Sequence, residues 1–473
     1  MMSYRYRMIS LSPLRRLTLA TTLVCLGLPA AAGAQAPDAP YRPGEVLVTY
    51  EPGAGPATAA AAQVATGTDG VPTPLPDAQV VRIEDGESVR ETARELAAQP
   101  GVASAVPNYY AHASGFVPND RGRGAPGDWQ ALQWNFLPAV GIDAPTAWTN
   151  LMAAGKPGGR GVTVAVLDTG VAYRNTRSFR RSPDFAYATF ARGYDFVDRD
   201  PYPDDFNGHG TFVAGVIAER TNNDTGVTGL AYGARIMPMR VLDEEGIGDA
   251  ADIAAGIRSA ARNGAKVINL SLEFDSAVPS SQIPEVLSAL RYANARGAVV
   301  VGASGNEALR SIAYPARAPN VMSVGATTEH GCQADYSNDG RGLDLVAPGG
   351  GSDSTVPDEG TLCARQDRPG RDIFQLTYTG SVRRFGLPTG YQGTSMAAPH
   401  VSATAALVIA SGVIGANPSP SAVEARLKST ARDVGAPGTD IRYGAGLISA
   451  AAATTPSPAV AARWRREAAQ RRR

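Results

Sequence analysis

Five short runs of nearly unbroken apolar residues punctuate the chain beyond its first third: Val162 to Leu167, Ile236 to Leu242, Val267 to Leu272, Val299 to Gly302 and Val321 to Gly325. Segments of helical periodicity, Asp252 to Ala261 and Glu285 to Ala295, lie between them, and Ala397 to Ile409 follows. A strand apolar on both faces must be covered on both sides, so strands of this kind alternating with helices predict a parallel, doubly wound α/β sheet with flanking helices. Ligands of such sheets bind outside the carboxyl ends of the strands. Upstream the texture differs. Gly44 to Tyr50 reads as a strand, Ala57 to Ala65 as a helix and Gln79 to Ile83 as a strand. Ser88 to Ala98 reads as an amphipathic helix with a capping box in Ser88 and Glu91, and Val102 to Tyr110 as a last strand. This predicts a small, separate α+β unit, joined to the larger one through a polar, glycine-rich linker at Pro118 to Gly127.

Length and composition fit two or three folded units: 473 residues, 44% hydrophobic and 19% charged. A formal net charge of +0 provides no electrostatic basis for a nucleic-acid partner. The ends depart from this average. Arg5, Arg7, Arg15 and Arg16 precede the apolar run Leu17 to Pro29 and the small residues Ala32-Gly33-Ala34, the order of a secretory signal peptide. The run is short of the roughly 20 residues of a membrane span. The expectation is therefore a secreted protein, extracellular or periplasmic, without a membrane attachment once residues 1–34 are removed. Ala461 to Arg473 carries six arginines and one glutamate and reads as a solvated, disordered tail. Cys332 and Cys363 then remain as the cysteines of an exported chain. They pair as one disulfide or stay as two thiols; a bridge closing a loop of about 30 residues would contribute about 3 to 4 kcal/mol.

Three motifs carry candidate chemistry. Asp168 ends the first apolar strand in Val164-Ala-Val-Leu-Asp-Thr-Gly170, where it reads either as a turn residue or as a carboxylate presented at the sheet's functional edge. His209 lies between glycines in Asn207-Gly-His-Gly-Thr211. Ser395, in Gly393-Thr-Ser-Met-Ala-Ala-Pro-His-Val401, reads alone as a helix cap or as a nucleophile at a helix N-terminus, with Pro399 tolerated in the first turn of that helix. A nucleophilic serine needs an imidazole base and a carboxylate to orient it. Of the four histidines, His112 falls in the small unit, His330 beside Cys332 and His400 on the same helix as Ser395, which leaves His209. The order Asp, His, Ser excludes an α/β-hydrolase, whose serine comes first. Gly158-Gly-Arg-Gly161 precedes its strand, whereas a dinucleotide fingerprint follows one.

In these motifs and their order the chain resembles the subtilisin-family serine proteases, or subtilases, from about Asn119 to Ala451. The resemblance implies a subtilisin-like catalytic domain at 114–455, preceded by a ferredoxin-like inhibitory propeptide at 35–113 and followed by the tail at 456–473. It implies a monomeric zymogen that hydrolyses polypeptides and has its own propeptide as intramolecular inhibitor. Asp168, His209 and Ser395 would form the triad. Gly302-Ala-Ser-Gly-Asn-Glu307 resembles the oxyanion loop, with Asn306 as its side-chain donor. Ser271, Leu272 and Glu273 on one side, Gly246 and Gly248 on another, and Ala303, Ser304 and Gly305 would bind substrate. Glu273 stands where the family has glycine, so the pocket for the residue before the scissile bond would be narrowed or would favour basic or small side chains. Phe212, where many relatives have histidine, and the long segment Gly349 to Gly390 also depart from the family pattern. Thr221-Asn-Asn-Asp-Thr-Gly-Val227 resembles a calcium loop. The implied Ca²⁺ ligands are Asn223, the carbonyls of Thr221, Thr225 and Val227, and the carboxylates of Asp184 and Asp120.

Overall fold

The structure is a computed structural model and describes residues 41–72, 77–83, 88–109, 116–186, 189–356 and 362–471. The expected signal peptide and His112 lie outside the described residues. The chain divides into two units, Met1–Ala111 and His112–Arg473.

In the first unit the elements run β1 (Tyr41–Tyr50), α1 (Pro56–Thr66), β2 (Asp69–Pro72), β3 (Ala78–Arg82), α2 (Val89–Ala97) and β4 (Val102–Tyr109). The sheet is antiparallel in the order β2-β3-β1-β4, the β-α-β-β-α-β arrangement of a ferredoxin-like unit. Val46, Val48 and Val81 from the sheet pack against Ala59, Ala62, Ala93 and Leu96 from the two helices. Strand β2 was not expected; four residues with an internal glycine carry too little alternation to announce a strand.

The second unit opens with α3 (Trp129–Leu132), α4 (Ala144–Ala153), β5 (Thr163–Asp168), β6 (Tyr194–Asp195) and α5 (His209–Ala218). It continues with β7 (Arg235–Arg240), α6 (Ala250–Arg262), β8 (Val267–Leu270), α7 (Pro284–Ala295), β9 (Val299–Ala303), β10 (Met322–Thr327) and β11 (Leu345–Pro348). A short hairpin, β12 (Thr377–Tyr378) and β13 (Phe385–Gly386), precedes α8 (Thr394–Ser411), α9 (Pro420–Ser429), α10 (Ala450–Thr454) and α11 (Pro458–Arg471). The main sheet is parallel, in the order β11-β10-β9-β8-β5-β7-β6. Strand β5 shows why its sequence is apolar throughout. Val164 and Val166 enter the core shared with α4, α5 and α8, while Ala165 and Leu167 enter the core shared with α6 and α7. The chain leaves β5 for β6 and β7 on one side and returns to β8 on the other, so the strand order reverses at β5. The crevice at such a point is where open α/β sheets place their ligands, and Asp168 is the last residue of that strand.

Three expectations need correction. The run Pro118 to Gly127 is packed structure, because Asp120 is buried and accepts the backbone N–H groups of Asn222 and Asn223 at 2.8 and 3.0 Å. The arginine-rich tail is not disordered as far as Arg471: it forms α11, anchored by Trp464, which is 3% exposed in the core beside α8. One tryptophan outweighs the surrounding charge, since Arg463 turns outward and donates to the Gly412 carbonyl at 2.7 Å. Pro399 does not sit in the first turn of its helix; α8 starts at Thr394, five residues earlier. Cys332 and Cys363 are joined in a disulfide.

Candidate active site

His209 begins α5 directly after Gly208, whose φ of 107° excludes most side chains. Gly210 follows, and a Cβ there would meet the Gly170 carbonyl oxygen at 2.1 Å, so only glycine brings the imidazole this close to β5. The His209 Nδ1 donates to Asp168 Oδ1 at 2.7 Å, and the same oxygen accepts the Thr169 N–H at 2.8 Å. Asp168 is fully buried, whereas 26% of the His209 side chain is open to solvent. Burial pushes the imidazole towards its neutral form, but the charge and hydrogen bond of Asp168, together with the charge of Asp205, outweigh it and hold its pKa above the ordinary value.

Asp205 is the residue that sequence reasoning missed here. It is buried, and its Oδ1 accepts Thr169 Oγ1, Asn207 N and Gly208 N, each at 2.9 Å. Its Oδ2 accepts the N–H and hydroxyl of Thr211 at 2.9 and 2.6 Å. These bonds shape the loop that carries His209. The available signal was the pair Asp204-Asp205, separated by Phe206 alone from Asn207-Gly-His-Gly210. The long segment after Gly349 braces the same loop, with Thr377 Oγ1 donating to the Gly208 carbonyl at 2.6 Å and Tyr378 Oη to the Asp205 carbonyl at 3.1 Å. Phe212 stacks flat on Tyr391 with ring centroids 4.1 Å apart.

Ser395 occupies the second position of α8. Pro399 has no N–H to give the carbonyl four residues before it, and that carbonyl belongs to Ser395. It accepts the Ser271 hydroxyl at 2.8 Å instead. Ser271 is held in turn by Asn269 Nδ2 at 2.9 Å, and Asn269 Oδ1 by the Ser402 hydroxyl at 2.8 Å. The proline thus ties the Ser395 backbone to the end of β8. The Ser395 hydroxyl donates to the Ser271 carbonyl at 3.3 Å. His209 and Ser395 line one cleft of about 450 Å³ together with Gly246, Gly248, Leu272 and Glu273.

The loop after β9 meets the start of α8. Asn306 Oδ1 accepts the Thr394 N–H at 2.8 Å and its hydroxyl at 3.0 Å, and Gly305 N donates to Thr394 Oγ1 at 3.3 Å. The Asn306 amide nitrogen donates to Glu273 Oε1 at 3.3 Å. Ala303, Ser304 and Gly305 are buried, and Ser304 donates to the Asn338 carbonyl at 2.9 Å, so the lining of the cleft on this side comes from Glu273. Asn338, for which the sequence carried no local signal, braces the loop by accepting Glu307 N and Leu309 N at 3.0 and 2.8 Å.

The other two histidines among the described residues are otherwise engaged. His400 donates from Nδ1 to the Met396 carbonyl and pairs through Nε2 with Asn135, each at 2.8 Å, and burial lowers its pKa to about 4. His330 pairs with buried Asp353 at 2.8 Å.

An aspartate–imidazole pair sharing a cleft with a serine at a helix N-terminus can do the proton transfers of acyl transfer. Residues 159–446 match the family model described as the subtilase family. The chain belongs to the subtilase family. It is 40% identical over 298 residues to subtilisin Savinase of Lederbergia lenta, covering 63% of this chain and 91% of that protein. It is 34% identical over 357 residues to the thermophilic serine proteinase of Bacillus sp. strain AK1, covering 76% of this chain and 74% of that protein. A solved structure of a protease from Pseudoalteromonas arctica PAMC 21717 superposes with a TM-score of 0.57 at 31% identity, over 72% of this chain and 99% of that one. Residues 28–108 match the fervidolysin N-terminal prodomain. This subtilase is therefore a subtilisin-like serine protease made as a zymogen with an N-terminal prodomain.

A second constellation lies at the loop Thr221 to Val227. Asp184 and Glu219 are buried there, and Asp184 Oδ2 and both Glu219 oxygens lack hydrogen-bond partners. Burial, ahead of the neighbouring carboxylates, pushes the Asp184 pKa up to about 8 and that of Glu219 well above its usual value. Asn223 Nδ2 donates to Asp184 Oδ1 at 2.6 Å, and a Cβ on Gly226 would stand 2.3 Å from Asp184 Oδ2. Among the described residues no group of three or more His, Cys, Asp and Glu side chains has metal-holding geometry.

Proposed function

We propose that this subtilase is a secreted endopeptidase that processes its own precursor and cleaves polypeptides through a Ser395–His209–Asp168 triad. The observation that carries the reading is the 2.7 Å bond between His209 and buried Asp168 in the cleft that also holds Ser395. In the first step the Ser395 hydroxyl leaves the Ser271 carbonyl and passes its proton to His209 Nε2 as Oγ attacks the peptide carbonyl. Asp168 fixes the ring and stabilises its charged form. The Ser395 N–H and the Asn306 amide receive the oxyanion. His209 then protonates the leaving amine, and water enters by the same base to release the acyl group. The N-terminal unit inhibits until it is cut away. No helix among the described residues is long and apolar enough to cross a membrane, in keeping with export. A phosphonofluoridate is expected to label the mature protein once, at Ser395, with no labelling of Ser395→Ala; labelling elsewhere would sink the assignment.

A structural Ca²⁺ is part of this reading. The residues fit a hard cation, because the orphaned Asp184 Oδ2 faces a loop that offers oxygen donors. Asp184, Asn223, Asp120 and the carbonyls of Thr221, Thr225 and Val227 would hold it. It would supply fixed positive charge against the buried carboxylates and take no part in the hydrolysis. Calcium at about 100 times its dissociation constant is expected to stabilise the fold by about 2.7 kcal/mol over a chelator-treated sample. Thermal melts of wild type and Asp184→Asn check this: the calcium-dependent rise in Tm should vanish in the variant, and a wild-type Tm indifferent to calcium refutes the site.

A further inference from the structure

The cleft beside Ser395 contains a carboxylate with only half of its bonding capacity in use. Glu273 Oε1 accepts the Asn306 amide at 3.3 Å, while Oε2 is buried without a hydrogen-bond partner. A Cβ on Gly305 would stand 2.6 Å from that Oε2, so the carboxylate lies across the gap between the end of β8 and the loop after β9. Burial and then the charge of Glu307 oppose its ionisation, and only the amides of Asn306 favour it. A half-buried carboxylate beside a second acid, with no cation paired to it among the described residues, is a poor structural device. It is a good receptor for a cation that arrives with the substrate. An arginine or lysine offers an apolar stem to Leu272 and Phe274, which line the cleft, and N–H donors to the free oxygen.

The partner of the occupied oxygen matters as much. Asn306 Oδ1 is anchored by Thr394, so its Nδ2 end is the free end, and at present it is aimed at Glu273. A substrate cation that takes over the carboxylate removes the attraction holding that end. Resting on the endopeptidase reading above, we propose that Glu273 selects a lysine or arginine as the residue before the scissile bond, and that this side chain releases the Asn306 amide to the developing oxyanion. Cation binding is thereby coupled to completion of the catalytic donors. Because the released amide acts only in the transition state, basic substrates gain in kcat as well as in KM.

The test uses the mature enzyme, its active sites counted with the phosphonofluoridate, and a matched peptide series with Arg, Lys, Leu, Phe or Ala before the cleaved bond. Wild type is expected to favour Arg over Leu by about 10- to 100-fold in kcat/KM, the range for hydrogen bonds to charged groups, with part of the preference in kcat. Glu273→Gln should collapse that ratio towards one. A wild type that favours Ala or Leu, or a ratio unmoved by Glu273→Gln, overturns the proposal. So does a wild type restricted to Ala whose Glu273→Gly variant gains Leu and Phe, since Glu273 would then be a plug. If Glu273→Gln does not accumulate, the wild-type ratio decides alone. Absence of labelling at Ser395 would be a different failure, that of the triad reading itself.

Discussion

Ser395→Ala is expected to lose about 10⁶-fold in kcat, the loss known for the triad serine in subtilisin itself and so a family value, not one derived from this chain. It is also expected to keep its N-terminal unit. Both follow from one atom. Removing Oγ leaves His209 paired with Asp168 and leaves the Ser395 N–H and Asn306 in place, because the bonds that hold this corner run through the Ser395 carbonyl and Thr394 rather than through the hydroxyl. The variant therefore retains fold and donors and loses only the nucleophile. Intact masses of wild type and variant secreted from one host in calcium-containing buffer separate the outcomes. A wild type shortened by roughly the prodomain beside a long variant means self-cleavage. Two short proteins mean that another protease makes the cut, and two long ones mean that the triad is silent under those conditions.

The large fold was legible because a parallel sheet covered on both faces leaves continuous apolar strands, as in β5 with Val164 to Leu167 feeding two cores. Elements that depend on tertiary partners were not. Strand β6 has two residues and no pattern of its own, and α11 looks like charge until Trp464 finds its place in the core. The site divides in the same way. Asp168 was visible because it ends an apolar strand, and His209 and Ser395 because each sits among glycines and small residues that close approach explains. Asp205 and Asn338, which position those runs, were harder to see because most of their partners are backbone N–H groups, and a backbone donor leaves no trace in a sequence. Pro399 was visible but misplaced. Its effect, freeing the Ser395 carbonyl for Ser271, becomes evident only when the start of α8 is known.

Asp168→Asn is expected to lower the plateau of kcat/KM by about 10⁴-fold, the value attached to the orienting aspartate in serine proteases generally, subtilisin included. It should also move the acidic limb of the pH profile downwards, and this second effect comes from this structure. The base must be neutral, so activity rises with pH through the His209 pKa. Burial lowers that pKa, while the charge and hydrogen bond of Asp168 and the charge of Asp205 raise it to a net value above about 6.5. Asparagine removes the two Asp168 contributions and leaves burial opposed only by Asp205. Stability carries the same sign. A histidine whose folded pKa is raised favours the protonated fold, a contribution fully present below the unfolded pKa and lost as pH rises through the folded one. The unfolding free energy of wild type should thus fall more steeply than that of Asp168→Asn across neutral pH. A profile whose acidic limb stays in place in the variant, with parallel stability curves, would mean that His209 titrates independently of Asp168 and that the 2.7 Å bond does not set the charge of the base.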